Sequence, residues 1–307
     1  MGCVPFELSS VDGYPTKQAW DAAAAEIVAT MLDRWHLVAH EPYVGGEAGS
    51  VLRVTTAGGA PAVLKVGYPH FEAVWEAVAL DAWEPRLAPA VLRQDAWTWS
   101  MLLEQVEPGT PLSRASLPVD EALRVGAELY RDLCGVPVAP GIPSLAEIMD
   151  VYARQATARL DEQAEALAHY GVLPFVERGI SELAELAESA RDDVLLHGDF
   201  NPGNILEGRG DDWFAIDPKP MHGDPAFDLW PLLEQLGDPW LHHDPAAVLA
   251  AHLDSVAAIV ECEPARAARW AFARSVLNVS WYLADGNREA TASAVREVET
   301  WARITGT

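Results

Sequence analysis

The sequence predicts an α+β fold of two lobes, a small strand-rich one over residues 1–105 and a larger helical one over 106–307. Three observations carry this expectation. β-branched segments punctuated by glycine crowd the stretch before residue 106. A breaker-rich run, Glu107-Pro108-Gly109-Thr110-Pro111, closes that stretch. Beyond it, long Ala- and Glu-rich segments carry apolar residues at helical spacing.

Taken in order, Gln18 to Trp35 is the first expected helix, with Ile27, Met31 and Leu32 on an apolar face. Gly45, Gly46 and Gly49 form a glycine loop. Ser50 to Thr56 is rich in β-branched residues, Ala57-Gly58-Gly59-Ala60 is a turn, and Ala62 to Val66 returns, which is a β-hairpin. Phe71 to Trp83 reads as a helix, with Val74, Val78 and Ala82 near one face, and Thr98 to Val106 as a strand. After the breaker run, helices are expected over 120–133, 145–170, 174–190, 227–236, 245–260, 264–283 and 288–301. A loop and a hairpin interrupt them: Val194-Leu195-Leu196, a turn-rich segment, Asn204-Ile205-Leu206, a polar turn over 208–212, and Trp213 to Ile216.

Composition narrows the function. A chain of 307 residues, half of them apolar, buries a sizeable core. No apolar run reaches the ~18 residues a membrane span needs, and Met1 to Ser10 lacks the basic start and apolar stretch of a secretion signal. Cys3, Cys134 and Cys262 are few and far apart, which points to a reducing, cytoplasmic setting and to neither a disulfide frame nor a zinc site. A formal net charge of −25 argues against nucleic acid and anionic membrane as partners and suits a cationic or hydroxylated small molecule. Acidity also serves solubility alone. A monomer is expected.

The chemistry concentrates in residues 197–217. Asp199 stands five residues before Asn204 in His197-Gly198-Asp199-Phe200-Asn201-Pro202-Gly203-Asn204, and Asp217 ends the apolar run that begins at Trp213. That is the layout of a phosphoryl-transfer site. One carboxylate accepts the proton of an attacking hydroxyl, while an Asn and a second carboxylate supply the oxygen ligands that Mg²⁺ prefers. Turn chemistry explains such residues individually. Their spacing around a hairpin is harder to explain that way. His197 is read as orienting the loop, with Asp199 the better base. Lys65 lies inside an apolar strand, where burial is costly unless it is paired. Its reading is contact with the α- and β-phosphates of ATP, positioned by Glu76, with Glu72 as the competitor one turn earlier. Gly46 and Gly49 would let backbone N–H groups approach the phosphates. Asp224 and Asp228 read as bracing and helix-capping carboxylates.

Glycine loop, strand lysine, helix glutamate, catalytic Asp, Asn and metal Asp follow the order of a kinase. The stretch from Trp213 to Lys219, with Gly223-Asp224-Pro225-Ala226-Phe227-Asp228-Leu229-Trp230-Pro231, resembles the aminoglycoside phosphotransferase family, in its streptomycin 6-kinase and hydroxyurea-resistance kinase branch. The resemblance implies a bilobal protein-kinase-like fold and ATP-dependent O-phosphorylation of a small hydroxylated compound. An aminoglycoside such as streptomycin would be the substrate, with ATP and Mg²⁺ required. Leu102-Leu103-Glu104-Gln105 resembles that branch too, which would make Glu104, Gln105 and Val106 the hinge that meets adenine. The chain departs from eukaryotic protein kinases: Gly198 stands where their loop has Arg, Pro218 follows Asp217, and little room separates Asp217 from Asp224 for a peptide-binding segment. Glu234, Asp238 and Asp285 are candidate carboxylates for a cationic acceptor. The alternatives are a kinase of another metabolite (an amino sugar, a choline-like alcohol or a glycated amine), a non-catalytic nucleotide- or antibiotic-binding protein, and a metal-dependent hydrolase using His197, Asp199 and Asp217. The last leaves Lys65 and the glycine loop unexplained.

Overall fold

The computed structural model describes residues 17–43, 49–190 and 193–307. By contact the chain divides into two units: residues up to Pro111 with Leu206–Pro220, and Leu112–Ile205 with Met221–Thr307.

The first unit is built on one sheet. Its elements run α1 (Lys17–Arg34), β1 (Val38–Pro42), β2 (Gly49–Thr55), β3 (Pro61–Gly67), α2 (Glu76–Trp83), β4 (Val91–Asp95) and β5 (Ser100–Glu104). The strands pair antiparallel in the order β1-β2-β3-β5-β4. The period of two along β3 sorts its side chains. Ala62, Leu64 and Val66 join Val54 and Leu102 in a core with Trp20, Ala24 and Met31 of α1. Lys65, between them in sequence, is paired in register with Val51 and Met101 and points to the other face.

Two features differ from the sequence expectation. Strands β1 and β4 were not anticipated, because they are the sheet's edges. All five residues of β1 are exposed, as are three of five in β4, so neither shows hydrophobic alternation. The single helix expected over 71–83 is split. A 3-10 turn covers Phe71–Ala73, Trp75 takes non-helical backbone angles (φ −104, ψ 7), and α2 starts at Glu76.

The second unit carries α3 (Val119–Cys134), α4 (Leu145–His169), α5 (Leu173–Glu188) and β6 (Val194–Leu196). The hairpin β7 (Ile205–Glu207) and β8 (Trp213–Ala215) comes next in the chain and belongs, from Leu206 on, to the first unit; the second unit resumes with β9 (Met221–Gly223), α6 (Leu229–Gln235), α7 (Pro245–Val260), α8 (Pro264–Ala284) and α9 (Arg288–Thr305). Helix bounds follow the amphipathic spacing closely, except that the helix expected from Phe227 opens as a 3-10 turn, Pro225–Asp228. Helix α8 is central, with Trp270, Phe272 and Val276 fully buried. Its Ser280 exchanges two buried hydrogen bonds with Gln163 of α4, at 2.8 and 3.0 Å. Strand β9 is too short and mixed to be read from sequence. It exists through pairing with β6, Leu195 opposite His222 and Leu196 opposite Met221.

Residues 206–220 join the sheet unit through backbone bonds. The Gly109 N–H donates to the Glu207 carbonyl (2.9 Å), the Glu207 N–H to the Thr110 carbonyl (2.9 Å), and the Ala215 N–H to the Leu87 carbonyl (2.8 Å). Among the described residues no single helix is long and apolar enough to cross a membrane; α7 and α8 satisfy that test only together, across a bend of 119°.

Helix α4 starts on a reciprocal cap. The Glu147 N–H donates to the Ser144 hydroxyl at 3.2 Å, and the Glu147 carboxylate accepts from the Ser144 N–H at 2.8 Å. Ser144→Ala is expected to lower stability by about 1 kcal/mol, read as a lower urea midpoint at unchanged slope. No shift of the midpoint would show that the cap is immaterial.

Candidate active site

In the sheet unit a buried ammonium meets two carboxylates. Lys65 Nζ lies 2.5 Å from Glu76 Oε1 and 2.5 Å from Asp217 Oδ1. Glu76 is available because α2 begins there, in the first turn of the helix. Glu72, the competitor, lies 4.0 Å from His70. Burial by itself would lower the Lys65 pKa, but the two carboxylates outweigh it and hold the pKa above its ordinary value. Burial, opposed by Lys65 and reinforced by Asp217, lifts the Glu76 carboxyl above its ordinary range. The side chain of Asp217 is 41% exposed, against 7% for Glu76, so Asp217 is the carboxylate that also reaches solvent. Its backbone sits in the left-handed region at φ 58, which Asp tolerates better than most residues.

Gly45 and Gly46 lie outside the described residues. Gly49 opens β2, where an added Cβ would meet the Val66 carbonyl at 2.8 Å. Glu104 ends β5 and is exposed. Gln105 lines a groove with His40, Arg53 and Thr55.

In the helical unit, the loop after β6 is tied down from below. His197 is fully buried, and its Nδ1 accepts the Asp199 N–H at 3.3 Å, so the imidazole orients the loop from inside. The carboxylate of Asp228, also fully buried, accepts the N–H groups of His197 (2.8 Å) and Gly198 (2.9 Å). Burial raises the Asp228 pKa, and Arg274, His197 and the two N–H groups oppose the rise. Phe200 packs under the loop against Tyr130, with ring centroids 5.0 Å apart. Half-buried Asp199 is held from both sides. Asn201 Nδ2 donates to its Oδ1 at 3.1 Å, and Asn204 Nδ2 to its backbone carbonyl at 3.0 Å. Asn204 directly precedes the β7–β8 hairpin and Asp217 follows it by two residues. Asp224 caps the next turn through the Ala226 N–H (3.0 Å) and accepts from Arg266 (2.5 Å) and Trp270 (2.6 Å).

The chain matches the family described as aminoglycoside/hydroxyurea antibiotic resistance kinase over residues 34–286. It belongs to that family. The protein is therefore a small-molecule kinase, and it uses a nucleotide as phosphoryl donor. It is 33% identical over 282 residues to a streptomycin 6-kinase of Streptomyces glaucescens, covering 91% of this chain and 89% of the relative. A hydroxyurea phosphotransferase of Kitasatospora aureofaciens is 34% identical over 260 residues, covering 84% and 73%. Among solved structures, an aminoglycoside phosphotransferase in complex with ADP and hygromycin B aligns with a TM-score of 0.64 at 16% identity, over 91% of this chain and 98% of that one. At that identity the likeness speaks for the protein-kinase-like fold alone.

Three groups escaped sequence reasoning: Arg266, Trp270 and Arg274, all on α8. No local pattern marks them, since their partners lie 42 or more residues away. The candidate acceptor carboxylates differ among themselves. Asp238 and Asp285 are exposed. Glu234 is half-buried and accepts from Trp301 Nε1 at 2.7 Å. Burial and the neighbouring Glu297 carboxylate push its pKa up to about 8.

Two outcomes follow from these charges. Lys65→Met leaves Glu76 buried without a cation, at an expected cost of about 3 kcal/mol near neutral pH. Glu76, raised to about 7 even beside Lys65, stays protonated to higher pH once the cation is gone; the cost should therefore grow as pH rises through about 7, and an equal loss at pH 5.5 and pH 8.5 in guanidinium melts would contradict the pairing. For Glu234, a raised folded pKa means that the folded state binds its proton more tightly than the unfolded chain. That stabilisation is full below about pH 4.5 and is lost as pH rises through about 8. Glu234→Gln should therefore gain stability over wild type as pH climbs across that window. A difference that stays constant from pH 4.5 to 8.5 would refute the burial.

Proposed function

We propose that this kinase transfers the γ-phosphoryl group of ATP to a hydroxyl of an aminoglycoside, with streptomycin the foremost acceptor. The observation that carries the reading is the half-buried Asp199 carboxylate, fixed by Asn201 and Asn204 on a loop whose backbone is pinned from beneath. The likeness to a streptomycin 6-kinase over most of both chains supports the acceptor. A chain of net charge −25 also attracts a polycation.

In this reading the sheet unit receives the nucleotide and the helical unit the acceptor. Lys65, held by its two carboxylates, meets the donor's phosphates. Glu104, Gln105 and Val106 take the adenine, and Gly46 with Gly49 cover the phosphates. Asp199 orients the acceptor hydroxyl and takes its proton as the oxygen attacks the γ-phosphorus and ADP leaves. Asn204 and Asp217 are the residues for Mg²⁺. Their chemistry fits a hard cation: the Asn204 N–H is spent on the Asp199 carbonyl, leaving the amide oxygen, and the Asp217 carboxylate is partly exposed. Bound Mg²⁺ supplies charge neutralisation at the phosphate oxygens. Among the described residues no three His, Cys, Asp or Glu side chains gather into a metal cluster. The protein works in the cytoplasm, where ATP is available, and phosphorylation of the drug there confers resistance.

The hydroxyurea phosphotransferase likeness gives a second acceptor to weigh. With ATP and Mg²⁺, streptomycin is expected to gain the mass of one phosphoryl group, and Asp199→Ala to lower kcat/KM by ~10²–10⁴-fold. Product from hydroxyurea alone would move the acceptor and keep the mechanism. No product from either compound would remove this reading.

A further inference from the structure

Arg274 of α8 reaches the backbone of the Asp199 loop. Its Nη1 donates to the Phe227 carbonyl at 2.9 Å, and its Nη2 lies 3.5 Å from the Gly198 carbonyl. The guanidinium stands 4.1 Å over the Phe227 ring and 5.0 Å from the Trp230 ring. Only 13% of the side chain is exposed. Yet its nearest carboxylate contact, Nη1 to Asp228 Oδ1, is 3.9 Å, far from the bidentate fork that arginine forms when neutralising a carboxylate is its task. The Asp228 oxygens are already taken by the His197 and Gly198 N–H groups.

The buried fork is directed mainly at backbone carbonyls, and one of them matters most. The Gly198 carbonyl belongs to the peptide bond that leads into Asp199. Gly198 itself sits at φ 80, and glycine leaves the adjoining peptide planes freer to turn than any other residue does. Its N–H is fixed by Asp228. Its carbonyl, on the Asp199 side, is faced by Arg274. The charged and titratable groups acting on the guanidinium are Asp228, Asp199, Tyr152 and Tyr130. Burial lowers the Arg274 pKa, and those groups oppose the drop, so Asp199 is within its electrostatic reach.

We propose that Arg274 is a positioning residue for phosphoryl transfer: it clamps the Gly198–Asp199 peptide and thereby aims the Asp199 carboxylate at the acceptor hydroxyl. The catalytic part of this proposal rests on reading Asp199 as the base. The clamp itself does not, and the test separates the two.

Arg274→Met keeps bulk on α8 and removes the fork and the charge. Arg274→Lys restores charge without the planar donor pair. In the full-length protein, hydrogen exchange of the 197–200 amides should quicken ~10-fold in Arg274→Met, with α8 and α6 protected as in wild type. With ATP, Mg²⁺ and the accepted antibiotic, kcat should fall ~10²-fold while both KM values stay within ~3-fold. Arg274→Lys should recover part of each loss. Unchanged exchange at 197–200 in Arg274→Met would overturn the clamp. So would a rise of equal size across α8 and α6, because that marks a general packing role. Quickened loop exchange with full kcat would overturn the positioning role. If wild type phosphorylates neither streptomycin nor another aminoglycoside, the proposed function fails and the exchange data still decide the clamp.

Discussion

One ammonium, set in the middle strand of a five-stranded sheet, constrains the N-terminal unit. An unpaired charge at that depth costs several kcal/mol. Lys65 is tolerated because two carboxylates arrive at hydrogen-bond distance from separate parts of the chain, Glu76 at the first turn of α2 and Asp217 just beyond β8. Both deliveries shape the fold. Helix α2 begins at Glu76, after non-helical backbone at Trp75. The 206–220 segment, distant in sequence, is fastened to the sheet unit by backbone bonds to Leu87, Gly109 and Thr110. The arrangement holds two carboxylates against one ammonium. The deeper one, Glu76, is driven toward its protonated form, while the shallower one remains open to solvent and to ligands.

The helical unit answers the inverse problem. Its buried charge is a carboxylate, Asp228, and the groups that satisfy it are mainly backbone N–H donors of the loop that carries Asp199. A second buried carboxylate, Asp224, is met by Arg266 and Trp270. In both units a charge that would be a liability in the core is balanced by groups brought to it from other parts of the chain. The placement of the loop backbone thus follows from the cost of leaving Asp228 unsatisfied, and Asn201 and Asn204 bond Asp199 to the same loop.

How much of this was legible in the sequence varied with the range of the interactions. The long helices were readable because their spacing repeats over many turns, and the β2–β3 hairpin because a glycine turn separates two β-branched runs. The edge strands β1 and β4 were not, since both of their faces meet solvent and leave no alternation. At the site, the order Lys65, Glu76, Asp199, Asn204, Asp217 was visible as a motif. Glu72 and Glu76 could not be told apart with certainty, because the choice depends on where a helix starts. At Gly49 the structure adds a packing constraint that the sequence does not show, since a side chain there would crowd the Val66 carbonyl. Asp224 and Asp228 were legible as bracing groups, but what they brace was not.

The sequence by itself determined the α+β class, the helical series after residue 111, the phosphoryl-transfer motif and the family. Each of these is written in contiguous patterns or in motif spacing. Only the tertiary structure decided that Glu76 and Asp217 share one lysine, that Asp228 carries the loop backbone, and that Arg274, 75 residues from Asp199, faces the peptide before it. The physical reason is common to all three. They are settlements of buried charge, and which partner satisfies a buried charge is fixed by packing in three dimensions, which no local pattern of residues records.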